Sequence, residues 1–158
     1  MPRIDIDALE IRSGCNYPPP FAEVCLGATW RKLGDAAGLT DFGINLVRLP
    51  PGKWSSQRHW HTEEDEFVFV LEGEVMLVED AGGQVLKAGD CAGWKAGAPN
   101  GHCLQNHGDR DAIYLEIGTR APDTDVCDYP DIDMTVGPDS VYRHRDGTAY
   151  ELEVGRKL

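Results

Sequence analysis

Two histidines one residue apart, in His59-Trp60-His61, are followed after Thr62-Glu63-Glu64-Asp65 by Glu66 and the run Phe67-Val68-Phe69-Val70-Leu71. Successive side chains on a strand point to opposite faces, so His59 and His61 share a face and can hold one ion together. The β-branched and aromatic run needs a sheet interior, so Glu66 opens a second strand after a short polar bend. A hairpin presenting three ligands is the expectation, with His102 adding a fourth from downstream. Glu63, Glu64 and Asp65 compete with Glu66, but they lie in the bend, where acidic side chains face water. The metal site expected from these positions is His59, His61, Glu66 and His102.

Strand-like segments recur through the centre of the chain with regular punctuation. Ile44 to Leu49 leads into the turn Pro50-Pro51-Gly52. Strands are then expected over Lys53–His61, Glu66–Leu71, Glu74–Glu79, Gln84–Lys87, Asp90–Trp94, His102–Asn106 and Asp111–Gly118. Ala81-Gly82-Gly83 and His107-Gly108-Asp109-Arg110 read as hairpin loops. Gly73, Gly82, Gly89 and Gly97 read as turn glycines with positive φ. No run has the helical periodicity of a sizeable helix. The fold class is therefore all-β, an antiparallel jelly-roll barrel over about residues 41–120, with N- and C-terminal extensions in a single domain spanning 1–158. The acidic region from Ala121 onward is expected to wrap over the barrel.

The histidine pattern resembles the first motif of the cupin superfamily: Gly, five residues, His-x-His, three or four residues, Glu, six residues, Gly. Here Gly52 precedes His59 by six residues, four separate His61 from Glu66, and six separate Glu66 from Gly73. The second cupin motif, Gly, five residues, Pro-x-Gly, two residues, His, three residues, Asn, is similar to Gly89 through Asn106. Gly97 stands for its second glycine with Lys95 at the proline position, or else Pro99-Asn100-Gly101 is the Pro-x-Gly. His102 and Asn106 keep the spacing in both registrations. The Pro-Asn-Gly-His string is also similar to small bacterial single-domain cupins, some of them described as sugar-phosphate isomerases. The resemblance implies a double-stranded β-helix, and pairing of barrels is common in that family.

Lys and Arg total 15 against 27 Asp and Glu, a net charge of −12, and the acidity is spread along the chain. Such a surface repels phosphate backbones, so nucleic acid is not an expected partner. The N-terminus lacks a basic start with an apolar run, and no stretch approaches the ~18 apolar residues of a membrane span. A cytoplasmic protein with no membrane partner is expected. Cys15, Cys25, Cys91, Cys103 and Cys127 are odd in number and lack a Cys-x-x-Cys pair, which fits reduced thiols. Strand alternation turns Cys103 away from His102, into packing.

Three imidazoles and a carboxylate suit one divalent transition metal, whether zinc, iron, manganese, nickel or copper. Four protein ligands in octahedral geometry would leave two positions for water or substrate, which permits catalysis without demonstrating it. Ser55 and Gln57 share parity with His59 and are candidates to line a cavity. Trp54, Trp60, Phe69, Trp94 and Tyr114 read as core or interface, Asn106 as a turn brace, and His107 and His144 as surface residues. The function expected is action on a small polar, carbohydrate-like molecule by isomerase-like or dioxygenase-like chemistry. The alternative is a non-catalytic metal-dependent binding or sensing module, and an inward-facing acid or base beside the site would favour the enzyme. Aromatic residues in the extensions, Phe21, Trp30, Tyr129, Tyr142 and Tyr150, lead to the expectation of a homodimer in which the N-terminal segment covers or extends the partner.

Overall fold

Alternating β-branched and aromatic residues form strands where expected, and the pairing of those strands decides which side chains meet. The computed structural model describes residues 3–151; the ends of the domain expected over 1–158 lie outside the described residues. The elements in order are β1 (Arg12–Ser13), β2 (Thr29–Lys32), the short α1 (Leu33–Ala36), β3 (Phe42–Leu49), β4 (Trp60–His61), β5 (Glu66–Glu72) and β6 (Glu74–Glu79). β7 (Gly82–Lys87), β8 (Cys91–Trp94), β9 (Cys103–Gln105), β10 (Ala112–Thr119), β11 (Cys127–Tyr129), β12 (Met134–Val136) and β13 (Tyr142–Arg143) follow.

One sheet has the order β1-β2-β3-β10-β5-β8, a second β7-β6-β9, and a third β13-β12-β11-β4. The second and third are linked by an isolated bridge between His59 and His102. Val47, Leu49, Val68, Val70 and Tyr114 of the large sheet pack against Val75, Leu77, Leu86 and Leu104 of the second to form the main core. The fold is nearly all-β and of the double-stranded β-helix type expected. Among the described residues no helix is long and apolar enough to cross a membrane.

Cross-strand register sorts the large sheet into faces. Trp30, Val47, Tyr114 and Val70 form one inward row; Asn45, Glu116, Val68 and Ala92 form the next; Gly43, Gly118, Glu66 and Trp94 form the third. The opposite face carries Leu46, Leu115 and Phe69 in one row and Ile44, Ile117 and Phe67 in another. Phe42, Phe67 and Leu71 are exposed on it.

Several sequence expectations are corrected. The strand expected over Lys53–His61 is interrupted by bends at 55–58, where Gln57 and Arg58 bond to Phe21 and Asp131, Ser55 accepts from Leu104 N and Ser56 meets His59. β4 and β5 lie in different sheets, so the residues expected to hold a metal face one another across the barrel and no hairpin carries them. The loop at 107–110 crosses between sheets instead of closing a hairpin, since β9 pairs with β6 while β10 pairs with β3 and β5. Tyr129, Met134 and Cys127 form a second core with Tyr17, Phe21, Tyr142 and Tyr150. The extensions therefore bury their aromatic residues against each other, and β2 adds to its own chain's β3.

Asn106 shows how loops are fixed beneath the site. Fully buried, it donates from Nδ2 to the carbonyls of Leu49 and Arg110, both at 2.8 Å, and accepts from Gly108 N at 2.9 Å. Asn106→Ala is expected to cost about 3 kcal/mol, since three hydrogen bonds go and the carbonyl of buried Leu49 loses a partner. A urea midpoint indistinguishable from the parent would refute this role. Gly73 adopts φ 73°, and a Cβ there would lie 2.8 Å from the Asp111 carbonyl oxygen, so this turn requires glycine.

Candidate metal centre

The His59–His102 bridge brings two imidazoles together through reciprocal backbone hydrogen bonds, His59 N to His102 O at 3.1 Å and His102 N to His59 O at 2.8 Å. Each imidazole is oriented through Nδ1. That of His59 lies 2.9 Å from the Gln57 carbonyl, that of His102 3.4 Å from the Asn100 carbonyl, and that of His61 2.6 Å from Asp125 Oδ2. With Nδ1 donating to these acceptors, Nε2 is left as the lone-pair nitrogen. The three Nε2 atoms converge on Glu66 Oε2, at 3.8 Å from His59, 3.7 Å from His61 and 2.8 Å from His102. Trp94 stacks on the His102 ring at 3.7 Å, with planes 6° apart, and so fixes its tilt.

Glu66 Oε2 is buried, and with the His102 proton on Nδ1 no donor reaches it although His102 Nε2 lies 2.8 Å away. A buried acceptor without a donor, ringed by imidazole nitrogens, is costly unless a cation lies among them. Burial opposes ionisation of Glu66, but His102, His59 and His61 outweigh it and lower its carboxyl to about 2. Burial also lowers His59 to about 4, against the pull of Glu66. Both groups therefore present lone pairs at neutral pH. Nitrogen and oxygen donors of this kind could hold a divalent transition metal.

Ligand atoms of His59, Glu66 and His102 all lie within 4.8 Å of one another. His61 approaches Glu66 but belongs to two other groupings at the same limit, one with His59 and Cys127 and one with Glu64 and Asp125. The acidic neighbours of Glu66 are occupied elsewhere: Asp65 binds Lys95 Nζ at 2.7 Å, and Glu64 accepts from Ala121 N at 2.7 Å. Outside the cluster, His107 meets Gln105, while His144 stacks on Tyr150 and meets Asp133.

A cavity of about 790 Å³ opens beside the cluster, with Trp30, Asn45, Ser55, Tyr114 and Glu116 in its wall. Ser55, Tyr114 and Glu116 also line the small space containing His59, Glu66 and His102. Ser55 thus lines the cavity as its parity suggests, whereas Gln57 turns away and donates to the Phe21 carbonyl at 2.7 Å. Glu116 further borders a third cavity, of about 320 Å³, beside Lys32 and Arg120. Burial raises its carboxyl pKa above 4.5, only partly offset by the Asn45 amide at 3.0 Å.

Sequence reasoning missed Glu116, Asp125 and Cys127. Glu116 was detectable as the one charged residue in the alternation Ala112, Tyr114, Glu116, Gly118. Asp125 and Cys127 carry no local signal, because pairing of β11 with β4 alone brings them to His61.

The cupin domain family model matches residues 45–118. A crystal structure of a sugar phosphate isomerase from a cupin superfamily, from Silicibacter pomeroyi, is 43% identical, covers 95% of this chain and 97% of its own, and superposes with a TM-score of 0.89. The chain belongs to the cupin superfamily. A crystal structure of a putative sugar phosphate isomerase from Acidithiobacillus ferrooxidans is 32% identical over 82% of this chain and 81% of its own, with a TM-score of 0.66. A predicted oxalate decarboxylase from Thermotoga maritima, 20% identical over 75% of this chain and 99% of its own with a TM-score of 0.61, shares the cupin fold. No curated protein matches significantly. The family match ends at residue 118, so in this cupin Asp125 and Cys127 reach the cluster from outside the matched segment.

Proposed function

We propose that this cupin is a metal-dependent enzyme that isomerises a small polyhydroxylated carbonyl compound of the sugar-phosphate kind, with His59, His61, Glu66 and His102 as metal ligands. Glu116 carries the proposal. It is an inward-facing carboxyl beside Glu66, in the wall of the cavity, with its pKa moved upward by burial. Aldose–ketose interconversion needs one group that removes a proton from the carbon next to a carbonyl and returns it to the neighbouring carbon. A divalent metal in the cluster would polarise that carbonyl. Trp30 gives the sugar a flat wall, Asn45 and Ser55 offer hydrogen bonds to its hydroxyls, and Lys32 and Arg120 bring cationic groups to the adjoining cavity. The two relatives described as sugar phosphate isomerases support the substrate class.

Incubation of the metal-loaded protein with a panel of aldose and ketose phosphates in deuterium oxide tests this reading. Deuterium should enter at the carbon next to the carbonyl as the two sugars interconvert. Binding without exchange would leave a binding module, and oxygen uptake would leave an oxygenase.

Protons should compete for this site first at His61. Burial lowers its pKa, but the Glu66 and Asp125 carboxylates outweigh burial and raise it above 6.5. Affinity is expected to be flat in alkali and to fall about tenfold per pH unit below that raised value, as one proton must leave for each ion bound. His59 joins the competition only in stronger acid. Chelator competition from about pH 8 to about pH 5 reads this slope, and a constant affinity would remove His61 from the ligand set.

A second copy of the chain is the proposed partner for the outer face of the large sheet, where the Leu46–Leu115–Phe69 and Ile44–Ile117–Phe67 rows lie together. Light scattering should give twice the 17.4 kDa chain mass, and Leu115→Glu should halve it. A parent protein of single-chain mass would exclude the dimer.

A further inference from the structure

Cys127 is paired with His61 in the β11–β4 register, and residues opposite one another on paired strands project to the same face. Its thiol is buried, and its sulfur and ring nitrogens of His59 and His61 all lie within 4.8 Å of one another. Metal–sulfur bonds of about 2.3 Å and metal–nitrogen bonds of about 2.1 Å place two donors of one ion up to ~4.4 Å apart. The three donor atoms thus lie together on the scale of a single coordination sphere.

We propose that Cys127 is a metal ligand, which with His59 and His61 forms a sulfur-containing set for a thiophilic divalent ion beside the His59–Glu66–His102 set. The inference rests on reading His59 and His61 as ligands and adds a residue to them. The thiol loses its proton to solvent as the ion binds, and the thiolate replaces Glu66 as the anionic donor. Because His59 is common to both sets, an ion in one excludes an ion from the other. Softness then selects the set: manganese(II), which favours oxygen, takes Glu66, whereas cadmium(II) or zinc(II), which favours sulfur, is drawn toward Cys127. In its packing role alone, Cys127 would fill the second core beside Tyr129 and Met134 and have no bearing on which ion is held.

Cadmium NMR of the full chain loaded with one equivalent of cadmium(II) tests this. The expected resonance lies in the range of one sulfur donor with nitrogen donors and correlates with imidazole protons of two histidines. In Cys127→Ser it should move to the nitrogen–oxygen range, while manganese(II) affinity stays at the parent level. A parent resonance already in the nitrogen–oxygen range, or a sulfur-range resonance that survives Cys127→Ser, overturns the proposal. Should Cys127→Ser fail to fold, the parent correlation decides, and a sulfur-range signal without two imidazole partners overturns it. A parent protein that binds manganese(II) but shows no sulfur donor defeats Cys127 alone; one that binds neither ion defeats the metal centre itself.

Discussion

His59→Ala should abolish stoichiometric metal binding while leaving an all-β circular dichroism spectrum. His59 belongs to two of the three groupings of ligand atoms, with Glu66 and His102 in one and with His61 and Cys127 in the other. Its removal takes a donor from each. The backbone bonds between His59 and His102 do not depend on the ring, so the sheets keep their junction. The loss should exceed that of Asp125→Asn, which takes the negative charge from the group facing His61 Nδ1 and should weaken affinity by about 10–100-fold. Metal analysis after dialysis against a weak chelator gives the answer. A full equivalent retained by His59→Ala would mean that His59 is not a ligand and that the ion sits elsewhere, as among His61, Glu64 and Asp125.

The second large effect is expected at Glu116. Glu116→Gln keeps the shape and the Asn45 contact but cannot take up a proton, so turnover of an isomerised sugar should fall by about 10²–10⁴-fold. Metal content should be unchanged, because Glu116 is not among the grouped ligand atoms. A carboxyl raised above 4.5 by burial loses its proton as pH rises, so the acid limb of the parent rate profile should follow this group and vanish in the variant. Glu116→Asp should restore part of the rate. Unimpaired turnover in Glu116→Gln would assign the proton transfer to another group.

Local pattern was enough to find β3 and the strands from β5 to β10, together with most of the cluster. Phe67 to Leu71 could be stable only as a strand in a sheet interior, and the parity of His59 and His61 did bring both rings toward Glu66. The partners of those strands were not legible. A two-residue β4 has no periodicity to reveal that it pairs with β11 more than sixty residues later, so the hairpin expectation failed and Asp125 and Cys127 went unseen. Ser55 to Arg58 alternate acceptably on paper, yet their polar side chains bend the backbone toward other loops. Tyr129 and Phe21 looked like surface in need of a partner because each extension alone is too short to make a core, and only their mutual packing makes one.

The sheet that joins β4 to β11, β12 and β13 divides labour within the chain. Glu66 and His102 are set by the barrel, and change there disturbs its core. His61 is held from the other side, by residues that contribute nothing to that core: Asp125 to its ring nitrogen and Cys127 beside it. On the proposed ligand set, substitutions between residues 121 and 150 would change the surroundings of the His61 ring without entering the barrel core. This tail is then the place to look for differences between relatives that share a barrel but not an activity.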